Sequence, residues 1–134
     1  MKVLIVDDVS IMRLIIKETL MNYCEVEEKD IFQAQNGAEA LHQYDVIKPD
    51  VVFLDITMPG LDGITVVKRI MRTDPEAYIV MCTSSSDKAD VRDCIKAGAK
   101  DYIRKPPQPD RVIKAIAQFL PDNLLPPPPS EDEA

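Results

Sequence analysis

Five times along the chain a short aliphatic run gives way to a stretch with helical periodicity, and no other feature restricts the fold as much. The runs are Lys2 to Val6, Ile31-Phe32-Gln33-Ala34, Val51-Val52-Phe53-Leu54, Tyr78-Ile79-Val80-Met81 and Asp101-Tyr102-Ile103. Between them apolar residues recur at helical spacing. Met12, Ile15, Ile16, Thr19 and Leu20 form one such face, with Ser10 as the expected cap near its start. Asn22 to Lys29 reads as an exposed connection. Asn36-Gly37 marks a turn into a short helix from Ala38 to Tyr44. Ile64, Val67, Ile70 and Met71 make a third face, which Asp74-Pro75 ends. Ala89 to Ala97 carries Val91, Cys94 and Ile95 as its apolar positions, and Gly98 stops it. Val112, Ile113, Ile116, Phe119 and Leu120 line a last helix. Strand and helix alternating in this way specify an α/β fold, a five-stranded parallel sheet with helices on both faces.

The third run is the most constrained. Four apolar residues lead into Asp55, and Met58-Pro59-Gly60 turns the chain just beyond. A continuous apolar run reads as a strand buried on both faces. Open parallel sheets bind ligands outside the carboxyl ends of their strands, which is where Asp55 falls. Alone, such an aspartate is a cap, a metal ligand or a nucleophile.

The other strand ends narrow that choice. Asp7 and Asp8 follow the first run, Thr83 the fourth and Lys105 the fifth. Three carboxylates, a hydroxyl and an ammonium therefore share one rim. Two unit charges about 4 Å apart interact by roughly 4 kcal/mol at an effective dielectric of 20. Clustered carboxylates accordingly need a cation or take up protons. A hard divalent ion such as Mg²⁺ accepts one or two carboxylates plus waters. A carboxylate oxygen left free beside it can attack phosphorus and form an acyl phosphate.

Composition sets the remaining limits. The chain has 134 residues, about one domain, and with no Trp and only three Phe its core must be mostly aliphatic. Cys24, Cys82 and Cys94 are an odd number without metal spacing, which suits a reducing, cytoplasmic setting. The first apolar run is too short for a signal peptide or membrane span. Residues 1–120 read as the folded domain. Residues 121–134 hold a four-proline run and four acids with no Lys or Arg, and read as a disordered tail. The body then carries sixteen basic against nineteen acidic residues, a net charge of −3 that argues against direct nucleic-acid binding. His42, the only histidine, lies in a helical stretch away from the rim and reads as a surface residue.

These residues resemble the receiver domain of two-component response regulators, in particular the single-domain chemotaxis type. The resemblance spans roughly Lys2 to Leu120. It is carried by Asp7-Asp8, the run from Asp55 to Gly63, Thr83-Ser84, Gly98-Ala99 and Lys105-Pro106. It implies a flavodoxin-like (βα)5 fold with strand order 2-1-3-4-5, for which the chemotaxis regulator is itself a standard example. It further implies that Asp55 is the phosphoacceptor. Mg²⁺, or Mn²⁺, would be held by Asp8, Asp55 and the backbone carbonyl of Thr57, with Asp7 acting through water. Lys105 and Thr83 would contact the phosphoryl group, and Tyr102 would be the switch aromatic. The implied partners are a sensor histidine kinase and a downstream protein. The latter would bind the face made by the Ala89–Ala97 helix, the strand holding Tyr102 and the last helix. Such a chain catalyses only its own phosphorylation and dephosphorylation and is not otherwise an enzyme. The family aims its lysine with a cis proline bond, so Lys105-Pro106 is predicted cis. The chain departs from the family at Pro107, where an aromatic residue is common. Thr57 and Ser85 occupy positions that vary and affect phosphoryl lifetime.

Rival readings remain at this level. A haloacid-dehalogenase-like phosphatase also uses a strand-end aspartate and Mg²⁺, but carries a second aspartate two residues on, where this chain has Thr57. A flavin carrier of the same fold class needs a hydroxyl-rich phosphate loop after the first strand, where Asp7-Asp8 would repel phosphate. A receiver cut from a larger regulator, with the proline run as linker, is a third.

Overall fold

The computed structural model describes residues 1–84, 88–122 and 124. Its strands are β1 (Val3–Val6), β2 (Ile31–Ala34), β3 (Val51–Asp55), β4 (Ile79–Thr83) and β5 (Asp101–Arg104). Its helices are α1 (Ser10–Tyr23), α2 (Gly37–Ile47), α3 (Gly63–Thr73), α4 (Lys88–Ala97) and α5 (Pro109–Ala115), with 3₁₀ turns at Glu28–Asp30 and Ala117–Phe119. The strands form one parallel sheet in the order β2-β1-β3-β4-β5. No helix among the described residues is long and apolar enough to cross a membrane.

Alternation of side chains along each strand divides the core in two. Leu4, Val6, Val52, Leu54, Ile79 and Met81 pack under α2, α3 and α4. Val3, Ile5, Val51, Phe53, Val80, Cys82 and Ile103 pack under α1 and α5. All five residues of β3 are buried, as expected for a strand covered on both faces.

Helix boundaries follow local chemistry. Asn36 accepts from Glu39 N at 2.8 Å and Asp62 from Thr65 N at 2.8 Å, so both are side-chain caps. Ser10 is not the cap predicted for α1. That position falls on Val9, whose N–H donates to Asp7 Oδ1 at 2.9 Å, so the upstream carboxylate closes the turn. The stretch after α1 is also less exposed than predicted. Glu25 takes a left-handed conformation with φ 57°, which returns the chain and buries Cys24 and Val26 in the α1–α5 layer. The last helix is shorter than its apolar pattern. It ends at Ala115, whose carbonyl accepts from the Tyr78 hydroxyl at 2.7 Å, and a 3₁₀ turn brings Phe119 edge-on to Tyr78 at 4.9 Å. On α4, Cys94 is buried but Ile95 is 43% exposed, so only part of that apolar pattern faces the core. Residues 85–87, which include Ser85, and residues 123 and 125–134 of the tail lie outside the described residues.

Candidate acidic site at the strand ends

Strand register assembles the site. Val6 pairs with Leu54, so Asp7 and Asp55 come next on adjacent strands. Alternation sends Asp7, Asp55 and Lys105 toward the α1–α5 side, as two-residue steps from Ile5, Phe53 and Ile103. Thr83 follows Met81 and falls on the other parity. The sheet end thus separates an ionic trio from a buried hydroxyl.

Asp7 and Asp55 are 1% and 5% exposed, whereas Asp8 faces solvent. Single oxygens from Asp7, Asp8 and Asp55 lie within 4.8 Å of one another. The Lys105 ammonium bridges two of them, 2.7 Å from Asp7 Oδ2 and 3.2 Å from Asp55 Oδ2. Its position is set at the backbone: Lys105 N donates to the Thr83 carbonyl at 2.8 Å, and the Lys105-Pro106 bond is cis, as predicted. Pro107, the next residue of this loop, is buried. The two central carboxylates are held unequally. Asp7 uses one oxygen for Lys105 and the other for Val9 N. Among the described residues, Asp55 receives a 3.3 Å contact from Thr57 N besides the lysine.

Burial raises the Asp55 pKa; Lys105 opposes the rise and the Asp7 charge adds to it. Burial alone would lower the Lys105 pKa, but hydrogen bonds and charge from Asp7 and Asp55 more than offset it and leave the value raised. With the groups ionised, three carboxylates face one ammonium. That surplus of negative charge on hard oxygen donors, one of them open to solvent, fits a divalent ion of the Mg²⁺ class.

A sequence profile described as the response regulator receiver domain matches residues 3–117. The chain belongs to that family. It is 47% identical to the chemotaxis protein CheY of Bacillus subtilis over 120 residues, covering 89% of this chain and 97% of that protein. It is 44% identical to the chemotaxis protein CheY of Thermotoga maritima, covering 86% and 93%. Among solved structures it resembles one described as the CheX-CheY-BeF3-Mg²⁺ complex of Borrelia burgdorferi, with TM-score 0.78, 31% identity and 90% of each chain covered. As a receiver the chain is a signalling protein of two-component systems, and the phosphatase and flavin-carrier readings are not favoured.

Of the predicted site residues, the receiver fold brings Asp7, Asp8, Asp55 and Lys105 together. Thr83 is buried at the end of β4, and Thr57 reaches Asp55 through its amide. Tyr102 stands apart on β5, 41% exposed. His42 is exposed on α2. Two residues escaped the sequence reading. Arg13 donates to the Asp7 carbonyl and to Gln33, but an arginine inside an amphipathic helix carries no sign of the acceptor it will find. Gly63 packs on the backbone of Asp55 and Ile56, and its only signal was Asp62-Gly63 at a helix start.

Proposed function

We propose that this chain is a phosphorylation-driven switch of the chemotaxis type, acting in the cytoplasm. Asp55 accepts the phosphoryl group, from a phosphohistidine of a sensor histidine kinase or from a small phosphodonor. An Asp55 oxygen attacks phosphorus and the bond to the donor breaks: a departing imidazole takes up a proton from solvent, whereas an acyl phosphate releases its carboxylate directly. A later attack by water returns the free carboxylate, so the chain catalyses only its own modification and its reversal.

The observation that carries this reading is the Asp55 carboxylate. It ends the central strand, is buried, and is held loosely at one oxygen while the other meets Lys105 at 3.2 Å. In this reading Lys105, 3.2 Å from Asp55 Oδ2, follows the charge onto the phosphoryl oxygens. Asp8, Asp55 and the Thr57 carbonyl would hold Mg²⁺ or Mn²⁺, with Asp7 acting through water. The bound ion supplies charge neutralisation on the phosphoryl oxygens. The Thr83 hydroxyl then turns to those oxygens, Tyr102 moves inward from its exposed position, and the α4-β5-α5 face changes for a downstream protein. The 47% identity to the Bacillus subtilis chemotaxis protein, over a match covering 97% of that protein, supports the chemotaxis assignment.

The test is incubation with acetyl phosphate and Mg²⁺, followed by intact mass and site mapping. One phosphoryl group should appear, on Asp55, and Asp55→Asn should abolish it. Labelling at the wild-type level elsewhere overturns the assignment.

A further inference from the structure

We infer that Arg13 is a positioning residue for the divalent ion: it fixes the peptide between Asp7 and Asp8, and through it the direction of the Asp8 carboxylate. The inference rests on the proposed function, because it presumes that Asp8 binds the ion.

Asp8 needs such a device. Its side chain is exposed, so the core does not orient it, and its direction depends on the backbone that carries it. That backbone is held on both sides of Asp7. The Asp7 N–H donates to the Ala34 carbonyl at 3.1 Å. The Asp7 carbonyl accepts from Arg13 Nη1 at 2.6 Å. A carbonyl lies in the plane of its peptide, so fixing it also fixes the Asp8 N–H and the bond to the Asp8 Cα. The guanidinium is itself anchored, since Nε donates to Gln33 Oε1 at 2.9 Å. Gln33 belongs to β2, and its own carbonyl accepts from Gln43 Nε2 of α2 at 2.7 Å. The Asp7-Asp8 peptide is thereby tied through α1 and β2 to α2. The planar fork of arginine spans the two acceptors, which a lysine ammonium on a flexible stem does not reproduce.

The sign of the effect separates this role from a bare charge. A cation near a cation site repels the incoming ion, so a purely electrostatic Arg13 would weaken Mn²⁺ binding, and its removal would tighten it. A positioning Arg13 does the reverse. Loss of a partner that orients a metal ligand typically costs about 10–100-fold in affinity.

The experiment titrates the full chain with Mn²⁺, read by electron paramagnetic resonance of the free ion, for wild type, Arg13→Ala and Arg13→Lys. Arg13→Ala should bind about 10–100-fold more weakly, and Arg13→Lys, which keeps the charge and loses the fork, should also fall below wild type. Labelling of Asp55 by acetyl phosphate should return toward the wild-type rate at saturating metal, which a general loss of structure would not allow. Arg13→Ala binding Mn²⁺ as tightly as wild type, or more tightly, overturns the inference. If Arg13→Ala does not fold, Arg13→Lys is judged by the same criterion. Asp8→Ala is the control for the underlying reading. Unchanged Mn²⁺ affinity in that variant removes Asp8 from the metal site whatever Arg13 does.

Discussion

Two glycines mark the turn from β3 into α3, Gly60 in the loop and Gly63 at the first residue of the helix, and they answer to different constraints. A Cβ at Gly63 would overlap the Asp55 carbonyl oxygen and lie 2.8 Å from the Ile56 Cα. Both neighbours are backbone of the strand that carries the site, so no side-chain rotation relieves the contact. Gly63 N also donates to the Ile56 carbonyl at 2.8 Å, which holds the start of α3 against that strand. Restoring a 3.4 Å contact to the Ile56 Cα alone requires a shift of about 0.6 Å, and clearing the Asp55 carbonyl oxygen requires more. Forced overpacking of this kind costs about 1–3 kcal/mol. For a domain of this size that lowers Tm by roughly 5–10 °C. A shift of this order beside Asp55 should also slow its labelling by about tenfold. Gly60 is the contrast: it has open space around it but a φ of +80°. Alanine there costs about 1–2 kcal/mol through backbone strain, and asparagine, which tolerates this region, recovers part of it. Thermal melts and acetyl phosphate labelling of Gly63→Ala, Gly63→Asn, Gly60→Ala and Gly60→Asn check the argument. Asparagine should rescue Gly60 only. A Gly63→Ala protein that melts and labels like wild type would show that the close approach to Asp55 is not limiting.

Three further outcomes follow from the same geometry. The Asp55 pKa is raised by burial, so the folded protein binds this proton more tightly than the unfolded chain. Without divalent ions, ionising Asp55 therefore costs stability as pH rises from the ordinary carboxylate range through the raised value. Asp55→Asn should be the more stable protein at pH 7, with the gap closing below about pH 4 in urea melts. Lys105 shows the same sign at higher pH, with the charged form the one that folding favours. Its raised pKa adds stability that is complete below the ordinary lysine value and is lost as pH climbs through the raised one. Lys105→Ala leaves buried carboxylates unneutralised and should lose about 3 kcal/mol at pH 7 in metal-free buffer, with part recovered on adding Mg²⁺. Thr83→Ala should be phosphorylated yet switch incompletely. A hydrogen bond to a charged group contributes about 1.5–3 kcal/mol, whereas a full population shift needs roughly 5.5. Amide NMR with and without beryllofluoride checks this, and a Thr83→Ala response equal to wild type in β5 and α4 removes Thr83 from the switch.

β1, β3 and β4 were legible because burial on both faces leaves an uninterrupted apolar run, whereas the edge strands β2 and β5 are only partly buried and left a weaker pattern. The site was legible because parallel topology gathers the strand ends, so Asp7, Asp8, Asp55 and Lys105 could be grouped before any distance was known. What escaped depends on contacts that no periodicity encodes. Cys24 and Val26 sit in a polar stretch, and only the left-handed Glu25 turns them inward. The α1 cap failed because the helix starts one residue earlier, and Met12 N and Arg13 N, which a Ser10 cap would have taken, donate to the Val9 carbonyl. The end of α5 depends on the Tyr78 hydroxyl, 37 residues away in sequence. Arg13 was missed for the same reason: its meaning lies in the Asp7 carbonyl, and a carbonyl belongs to every residue.

The burial of the strands has a mechanical consequence. β3 is sealed along its whole length, while β5, at the sheet edge, has one fully buried residue, Ile103, between the outward-facing Tyr102 and Arg104. Stiffness therefore falls across the sheet from the centre to this margin, and amide exchange should grade the same way, slowest in β3 and fastest in β5. On the proposed function, a phosphoryl group on Asp55 would load the least deformable member of the fold, and the adjustment is expected at the more loosely packed edge that carries Tyr102.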